Sequence, residues 1–151
     1  MIKQIINKEE KQSITKTILE ELIDWFEDET GRNNYINNCI DKPMFVNVDN
    51  KKITGFLILN ETSKHTVELW VMGVTLDNQK QGVGSKLLTY STQWAKENGY
   101  EFIQVKTVKF GIYPEYDITN KFYIKNGFKE LECIEEIWGK ENPCMIYIKA
   151  L

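Results

Sequence analysis

The fold of this chain is decided by one stretch of its sequence, Gln79-Lys80-Gln81-Gly82-Val83-Gly84. The apolar and alternating segment 66–74 precedes it, and segment 83–98 follows it with apolar side chains at helical intervals. A strand, a glycine turn and a helix in this order are typical of phosphate binding. Glycines let backbone N–H groups approach phosphate oxygens, and the start of a helix carries a partial positive charge. The stretch therefore predicts a site for a pyrophosphate.

The spacing of the glycines separates three kinds of phosphate-binding turn. A P-loop requires G-x-x-x-x-G-K-[ST], whereas here the glycines stand two apart and Ser85 precedes Lys86. A dinucleotide turn requires G-x-G-x-x-G/A, and Leu87 occupies the third of those positions. The sequence therefore fits neither a P-loop nor a dinucleotide-binding turn.

The turn resembles the Q/R-x-x-G-x-G/A signature of the GNAT N-acetyltransferase superfamily, which cradles the pyrophosphate of coenzyme A. Segment 68–74 resembles the fourth strand of that family. Segment 122–128, Phe-Tyr-Ile-Lys-Asn-Gly-Phe, resembles its F/L-Y-x-x-x-G-F motif. Segment 138–145 resembles the corresponding segment of a bacterial subgroup of this superfamily, whose substrate is not settled. The chain departs from the family at Tyr116, where many members carry an asparagine that contacts the cofactor arm.

The resemblance implies that acetyl-CoA is the cosubstrate and that it binds along the strand end and the turn. Backbone groups of residues 74–76 are expected to pair with the pantetheine arm, and the glycine turn is expected to hold the pyrophosphate. The residues expected to bind the cofactor are Val74, Thr75, Leu76, Gln79, Lys80, Gln81, Gly82, Val83, Gly84 and Ser85.

Periodicity along the rest of the chain predicts the order β, α, α, β, β, β, α, β, α, β, β. A helix is expected to start at Asn7 and to continue its apolar stripe through Trp25 and Phe26, with a break at Thr30-Gly31 before a short second helix. This order matches the GNAT fold. We therefore expect an α/β (α+β) protein with a mixed, mostly antiparallel sheet of about seven strands flanked by helices. A single acetyltransferase domain is expected over residues 1–151, because no linker or repeat divides the chain.

The composition argues against several classes of protein. The net charge is −3, whereas a general nucleic-acid binder needs a basic patch. One histidine and three cysteines without a C-x-x-C pair predict no metal site and free, mostly buried thiols. No run is long and apolar enough for a membrane span, and the first residues turn polar too early for a signal peptide. We expect a cytoplasmic protein that binds neither nucleic acid nor membrane.

Acetyl transfer to an amine requires a base for the ammonium, a donor for the carbonyl oxygen and an acid for the departing thiolate. The resemblance implies that Tyr123 is the acid; the alternative is a tyrosine packed on the core. Glu68 is the expected base, directly or through a water, because period-two alternation puts it on one strand face with Trp70. The alternative for Glu68 is a solvated or salt-bridged strand glutamate. A backbone N–H near Gly73 or Val74 is expected to face the oxyanion.

Aromatic side chains outside the motifs are the expected walls of the acceptor site. Some of them also suit the core, and Trp25 is undecided between the two roles because it continues an apolar helical stripe. The residues expected to bind the acceptor are Trp25, Tyr35, Trp70 and Tyr113.

Together these observations predict an acetyl-CoA-dependent N-acetyltransferase that moves an acetyl group to a primary amine by direct attack. The acceptor is expected to be a small molecule, because no long peptide-binding insertion is visible. Two alternatives stay open: a non-catalytic acyl-CoA-binding or sensing module of the same fold, and an acetyltransferase of proteins or aminoacyl-tRNA. A homodimer is a family-level expectation only.

Overall fold

A computed structural model describes residues 1–151 of the chain as seven strands and five α-helices. The strands are Ile2–Ile5 (β1), Met44–Asp49 (β2), Lys52–Ser63 (β3), Thr66–Val74 (β4), Phe102–Val108 (β5), Lys129–Ile134 (β6) and Cys144–Ala150 (β7). The helices are Lys8–Glu21 (α1), Glu29–Asn38 (α2), Val83–Glu97 (α3), Pro114–Lys125 (α4) and Glu135–Trp138 (α5). None of the helices is both long enough and apolar enough to cross a membrane.

The seven strands form one sheet in the order β1-β2-β3-β4-β5-β7-β6. The pairs β1–β2, β2–β3, β5–β7 and β6–β7 are antiparallel, and β4 pairs parallel with β5. The parallel pairing joins Thr66–Glu68 to Phe102–Gln104. This confirms the predicted fold, a mixed and mostly antiparallel sheet with helices.

The chain divides into two compact units, and each is built from two separate segments. The first unit comprises residues 1–60 and 70–94, and the second comprises residues 61–69 and 95–151. The expectation of a single domain over residues 1–151 stays a prediction.

In the first unit, α1 supplies much of the apolar core. Asn7 caps the helix by accepting a hydrogen bond from the Glu10 N–H at 2.8 Å, as the spacing of these residues predicts. The side chains that share one face of the helix are buried, and they pack with apolar residues of β1, β2, β3 and β4. These helical residues are Ile14, Ile18 and Leu19.

The boundary between the first two helices differs from the prediction. Helix α1 ends at Glu21, so Trp25 and Phe26 lie outside it rather than on its apolar stripe. The predicted break at Thr30-Gly31 is wrong, because both residues lie inside α2. The physical reason is the carboxylate of Asp28, which accepts hydrogen bonds from both of their N–H groups, at 3.2 and 3.1 Å, and so starts the helix there.

In the second unit, α4 begins at Pro114 rather than near residue 117. Proline favours the first helical position, because its missing N–H is not needed there. Asn126 ends the helix, and Gly127 follows with φ +91°, as its glycine predicts. The short helix α5 was not predicted from the sequence, since four residues are too few for a periodic signal.

Candidate active site

The glycine turn, defined as residues 79–84, is shaped by positive backbone angles. Lys80 has φ +62° and Gly82 has φ +83°. No atom lies within 4 Å of the place where a Cβ of Gly82 would stand, so its glycine is required by the backbone angle and not by crowding. The turn therefore leaves open space above the backbone at this glycine.

Helix α3 begins at the glycine turn without a side-chain cap at Gly82. The carbonyl of Gly82 accepts the hydrogen bond of the Lys86 N–H at 3.0 Å, which is the first bond of the helix. Gly82 has no side chain to cap the N–H groups of the first turn, which belong to Val83, Gly84 and Ser85. These groups and the helix dipole suit an anion.

The strand end before the turn is held by three hydrogen bonds within the first unit. The Gln79 amide donates to the carbonyl of Val74 at 3.1 Å, so the glutamine of the signature holds the end of β4. The Thr75 N–H donates to the carbonyl of Thr54 at 2.9 Å. The Leu76 N–H donates to the carboxylate of Glu21 at 2.8 Å. In this conformation the backbone donors of residues 75 and 76 therefore have partners within the protein.

Gly73 is required by packing. A Cβ at this position would lie 2.9 Å from Leu22, 3.0 Å from Phe56 and 3.1 Å from Ile18. A Cβ this close would force the packed side chains of Leu22, Phe56 and Ile18 to shift, so a larger residue here would disturb the core. The strand-end glycine is thus explained without a ligand.

Three of the four aromatic residues predicted to bind the acceptor belong to the first unit. Trp25, Tyr35 and Trp70 are all partly buried and pack against the same apolar core. The rings of Tyr35 and Trp70 meet edge to face with centroids 4.8 Å apart. The ammonium of Lys42 lies 4.7 Å from the centroid of Trp70. The structure thus brings Tyr35 and Trp70 together beneath a positive charge.

In the second unit, Glu68 forms an ion pair with Lys106 that the sequence did not reveal. The Lys106 Nζ donates to the Glu68 Oε2 at 2.6 Å. The Glu68 side chain is 9% exposed and the Lys106 side chain 32% exposed. The predicted base is therefore a buried carboxylate with a defined cationic partner.

Tyr123 lies in an aromatic and polar cluster of the second unit. Its ring is 5.5 Å from that of Phe128 and 6.2 Å from that of Tyr147. The Tyr147 hydroxyl donates to the amide oxygen of Asn120 at 2.5 Å, and the Asn120 amide donates to the carbonyl of Val108 at 2.8 Å. Burial raises the pKa of Tyr147. We call Asn120, Tyr123, Phe128 and Tyr147 the tyrosine cluster.

Tyr113, the fourth residue predicted to bind the acceptor, lies in the loop before α4. Its hydroxyl donates to the amide oxygen of Asn142 at 2.8 Å, and its ring contacts that of Tyr116 at 5.8 Å. Tyr116 stands where many relatives have an asparagine, and here its carbonyl accepts a hydrogen bond from the Asn120 amide at 2.6 Å. Tyr113 is thus tied to the segment before β7.

Among the residues of these sites that the sequence did not indicate are Glu21, Lys106 and Asn120. Alternation along β5 puts Gln104 and Lys106 on one face, and this could be predicted from the sequence. The register of β5 on β4, in which Glu68 stands opposite Gln104, could not be predicted. Neither Glu21 nor Asn120 stands in a motif that could have indicated its partner.

Comparisons with known proteins agree with this geometry. A family model described as "Acetyltransferase (GNAT) domain" matches residues 41–130, more than half of the chain. A search of curated proteins found no match.

Solved structures are similar over nearly the whole chain. A candidate acetyltransferase of the GNAT family from Desulfovibrio desulfuricans has 14% identity and a TM-score of 0.86, with 99% of this chain and 98% of that chain covered. The aminoglycoside 6'-N-acetyltransferase from Enterococcus faecium has 16% identity and a TM-score of 0.77, with 99% and 96% covered. A GNAT family acetyltransferase from Elizabethkingia anophelis with acetyl-CoA bound has 17% identity and a TM-score of 0.69, with 89% and 88% covered. Similarity at these identities shows the fold.

Proposed function

The chain belongs to the GNAT acetyltransferase family, and from this membership we propose that it moves an acetyl group from acetyl-CoA to a primary amine of a small molecule. The amine attacks the thioester carbonyl directly, without a covalent enzyme intermediate. The observation that carries the proposal is the glycine turn, whose Gly82 opens α3 at φ +83° without a capping side chain. The proposed place of action is the cytoplasm.

The residues of the turn fit the pyrophosphate of coenzyme A. The N–H groups of Val83, Gly84 and Ser85 supply donors at the start of a helix of 15 residues. Lys80 and Lys86 stand on either side of the glycines and supply positive charge. Val74, Thr75 and Leu76 are proposed to pair with the pantetheine arm. The Leu76 N–H becomes available to that arm once the carboxylate of Glu21 leaves it.

Glu68 is proposed as the general base and Tyr123 as the general acid. A carboxylate that is 9% exposed keeps few competing waters, and it accepts the proton of the ammonium directly or through one water. The hydroxyl of Tyr123 returns a proton to the departing thiolate of coenzyme A. Together the two roles balance the protons of the reaction, because the amine loses one proton to Glu68 and the thiolate gains one from Tyr123.

The partly buried rings of Trp25, Tyr35 and Trp70, together with Tyr113, are proposed as walls for the acceptor. The rings of Tyr35 and Trp70 meet edge to face at 77°, so they would give a small organic amine two apolar walls nearly at right angles. The Enterococcus faecium protein, by its name, acts on an aminoglycoside, which is a small amine. This supports the proposal by analogy of fold.

The test begins with a thermal-shift titration of the protein with acetyl-CoA, with ATP and NAD as controls. A ligand at about 100 times its Kd stabilises by roughly 2.7 kcal/mol. For a chain of this size, that should raise Tm by about 5–10 °C. No shift with acetyl-CoA, or a larger shift with NAD or ATP, would contradict the proposed use of the glycine turn.

The second step measures thiol release from acetyl-CoA with a panel of acceptors. Small primary amines are expected to be consumed faster than peptides with free N-termini. Preference for peptides or for aminoacyl-tRNA would move the proposal to a macromolecular acceptor. Binding of acetyl-CoA without thiol release for any acceptor would favour a non-catalytic acyl-CoA sensor.

A further inference from the structure

The ion pair of Glu68 and Lys106 is unusually protected for two strand residues. The Glu68 Oε2 and the Lys106 Nζ are 2.6 Å apart, and both side chains are at least two-thirds buried. By contrast, the His65 Nδ1 and the Glu101 carboxylate, which are in contact in the same unit, belong to side chains that are 55% and 63% exposed. Exposed pairs of that kind contribute little, whereas a buried charge depends on its partner.

The register of the strands explains why these two side chains meet. Glu68 of β4 stands beside Gln104 of β5, and Lys106 is two residues further along the same face. Cys144 of β7 pairs with Val108 and is fully buried, and the pKa of its thiol is raised to about 11 chiefly by burial. A thiol that stays neutral leaves the ammonium of Lys106 as the charge that faces the carboxylate.

Glu61 of β3, a second carboxylate of the same unit, has a partner of its own. Its carboxylate accepts the hydroxyl of Tyr100 at 2.5 Å, which is the main reason that the pKa of Tyr100 is raised. Lys106 and Glu68 each form one ion pair, and it is the pair between the two.

We propose that Lys106 is a positioning residue for the acetyl-transfer reaction: its ammonium holds the Oε2 of Glu68 and so orients the Oε1 toward the acceptor amine. The inference rests on the proposed function, in which Glu68 is the base. A carboxylate held by one oxygen keeps a fixed orientation for the other, and fixed orientation is what makes a base effective. Lys106 itself does not touch the reacting atoms.

The experiment compares pH profiles of kcat for the wild type, Lys106→Met and Lys106→Arg. Lys106→Met is expected to lower kcat at pH 7 on the order of 10-fold, less than the ~100-fold or more that loss of a base costs. Its acid limb is expected to move to higher pH than in the wild type, because removal of a nearby cation disfavours the charged form of a buried carboxylate. The KM for acetyl-CoA should stay unchanged, and Lys106→Arg should restore most of the rate.

A double-variant cycle separates positioning from a structural role. In the Glu68→Gln background, Lys106→Met is expected to change kcat by less than twofold, because there is no carboxylate left to hold. This pair of neutral residues also serves if Lys106→Met alone does not fold. The matched control is His65→Gln, which alters the exposed contact with Glu101 and should leave the pH profile as it is.

Two results would overturn the inference. One is a folded Lys106→Met variant whose pH profile superimposes on that of the wild type. The other is an equal loss of kcat from Lys106→Met with and without Glu68. Either result leaves the proposed function standing as long as the wild type binds acetyl-CoA and releases thiol; a wild type that does neither overturns both.

Discussion

The glycine turn of the first unit and the tyrosine cluster of the second are both proposed to serve acetyl transfer. The turn does so with backbone atoms and the cluster with side-chain atoms. The turn presents backbone N–H groups, and its shape follows from positive φ angles at Lys80 and Gly82. The cluster presents side chains, and its shape follows from hydrogen bonds and ring contacts around Asn120, Tyr123 and Tyr147.

This difference has a practical meaning for mutation. A site made of backbone N–H groups is damaged by a substitution that disfavours its φ angle, whichever side chain is introduced. A side-chain site is damaged by removal of single atoms that leave the packing in place. Two experiments of decreasing effect test whether the two regions differ in this way, and two further ones test the burial of the cysteines.

The largest effect is expected from the loss of one oxygen atom at Tyr123. Tyr123→Phe keeps the ring contacts with Phe128 and Tyr147 but removes the proposed acid, so kcat should fall about 100-fold. The Kd for acetyl-CoA, measured by the thermal-shift titration, should stay unchanged.

The matched control is the neighbouring tyrosine of the same cluster. Tyr147→Phe removes the hydroxyl that donates to Asn120 and should cost about 1 kcal/mol in the free energy of unfolding, with kcat retained. If the two variants lose kcat equally, Tyr123 is a packing residue and the proposed acid is wrong.

A smaller effect is expected from Gly82→Ala in the glycine turn. The added methyl meets no atom within 4 Å, but alanine at φ +83° costs about 1–2 kcal/mol. The strained turn is expected to relax in the free protein, so the Kd for acetyl-CoA should rise about 5- to 10-fold. Direct titration of both proteins with acetyl-CoA measures this.

Gly99 offers a closely matched control for this substitution. It has φ +89°, and likewise nothing lies within 4 Å of its Cβ position. Gly99→Ala should therefore lose similar stability while the Kd for acetyl-CoA stays the same. Equal loss of affinity in both variants would mean that the turn has no special part in binding.

The smallest effect concerns the three cysteines and changes no rate of catalysis. Cys39 and Cys144 are buried and Cys133 is exposed, as the expected free and mostly buried thiols require. At pH 8 a thiol reagent should modify one thiol quickly in the native protein and three in denaturant. Cys133→Ser should abolish the fast reaction, and fast native reaction of more than one thiol in the wild type would contradict the burial of Cys39 and Cys144.

Folding raises the pKa of Cys144 from 9.0 to about 11, so its neutral form is favoured in the folded state. The stability that this thiol contributes is fully present below pH 9 and is lost as the pH rises toward about 11. Denaturant titrations at pH 8 and pH 10.5 should show this loss, and Cys144→Ala should reduce the difference between the two pH values.

Much of the fold could be predicted because its signals are local. The strand over residues 66–74, the glycine turn and the helix cap at Asn7 each depend on residues a few positions apart. The end of α1 could not be predicted, because the apolar spacing continues past Glu21 and only the cap at Asp28 shows where the next helix begins.

The site divides in the same way. The glycine turn is a local motif and was visible in the sequence. The partner of Glu68 was not visible in the sequence, because Lys106 is 38 residues away along the chain. The two side chains meet only through the register of β4 and β5. The hydrogen bond from the Leu76 N–H to Glu21 spans 55 residues and likewise left no trace in the sequence. Contacts of this kind depend on packing that no spacing rule describes.

The position of β7 has a consequence for how the second unit is completed during synthesis. This strand, residues 144–150, is made after β5 and β6 but lies between them, and it pairs with both. A ribosome that has delivered β5 and β6 has therefore not yet delivered the strand that joins them. Loss of these few residues would not trim an edge of the sheet; it would separate β6 from the rest.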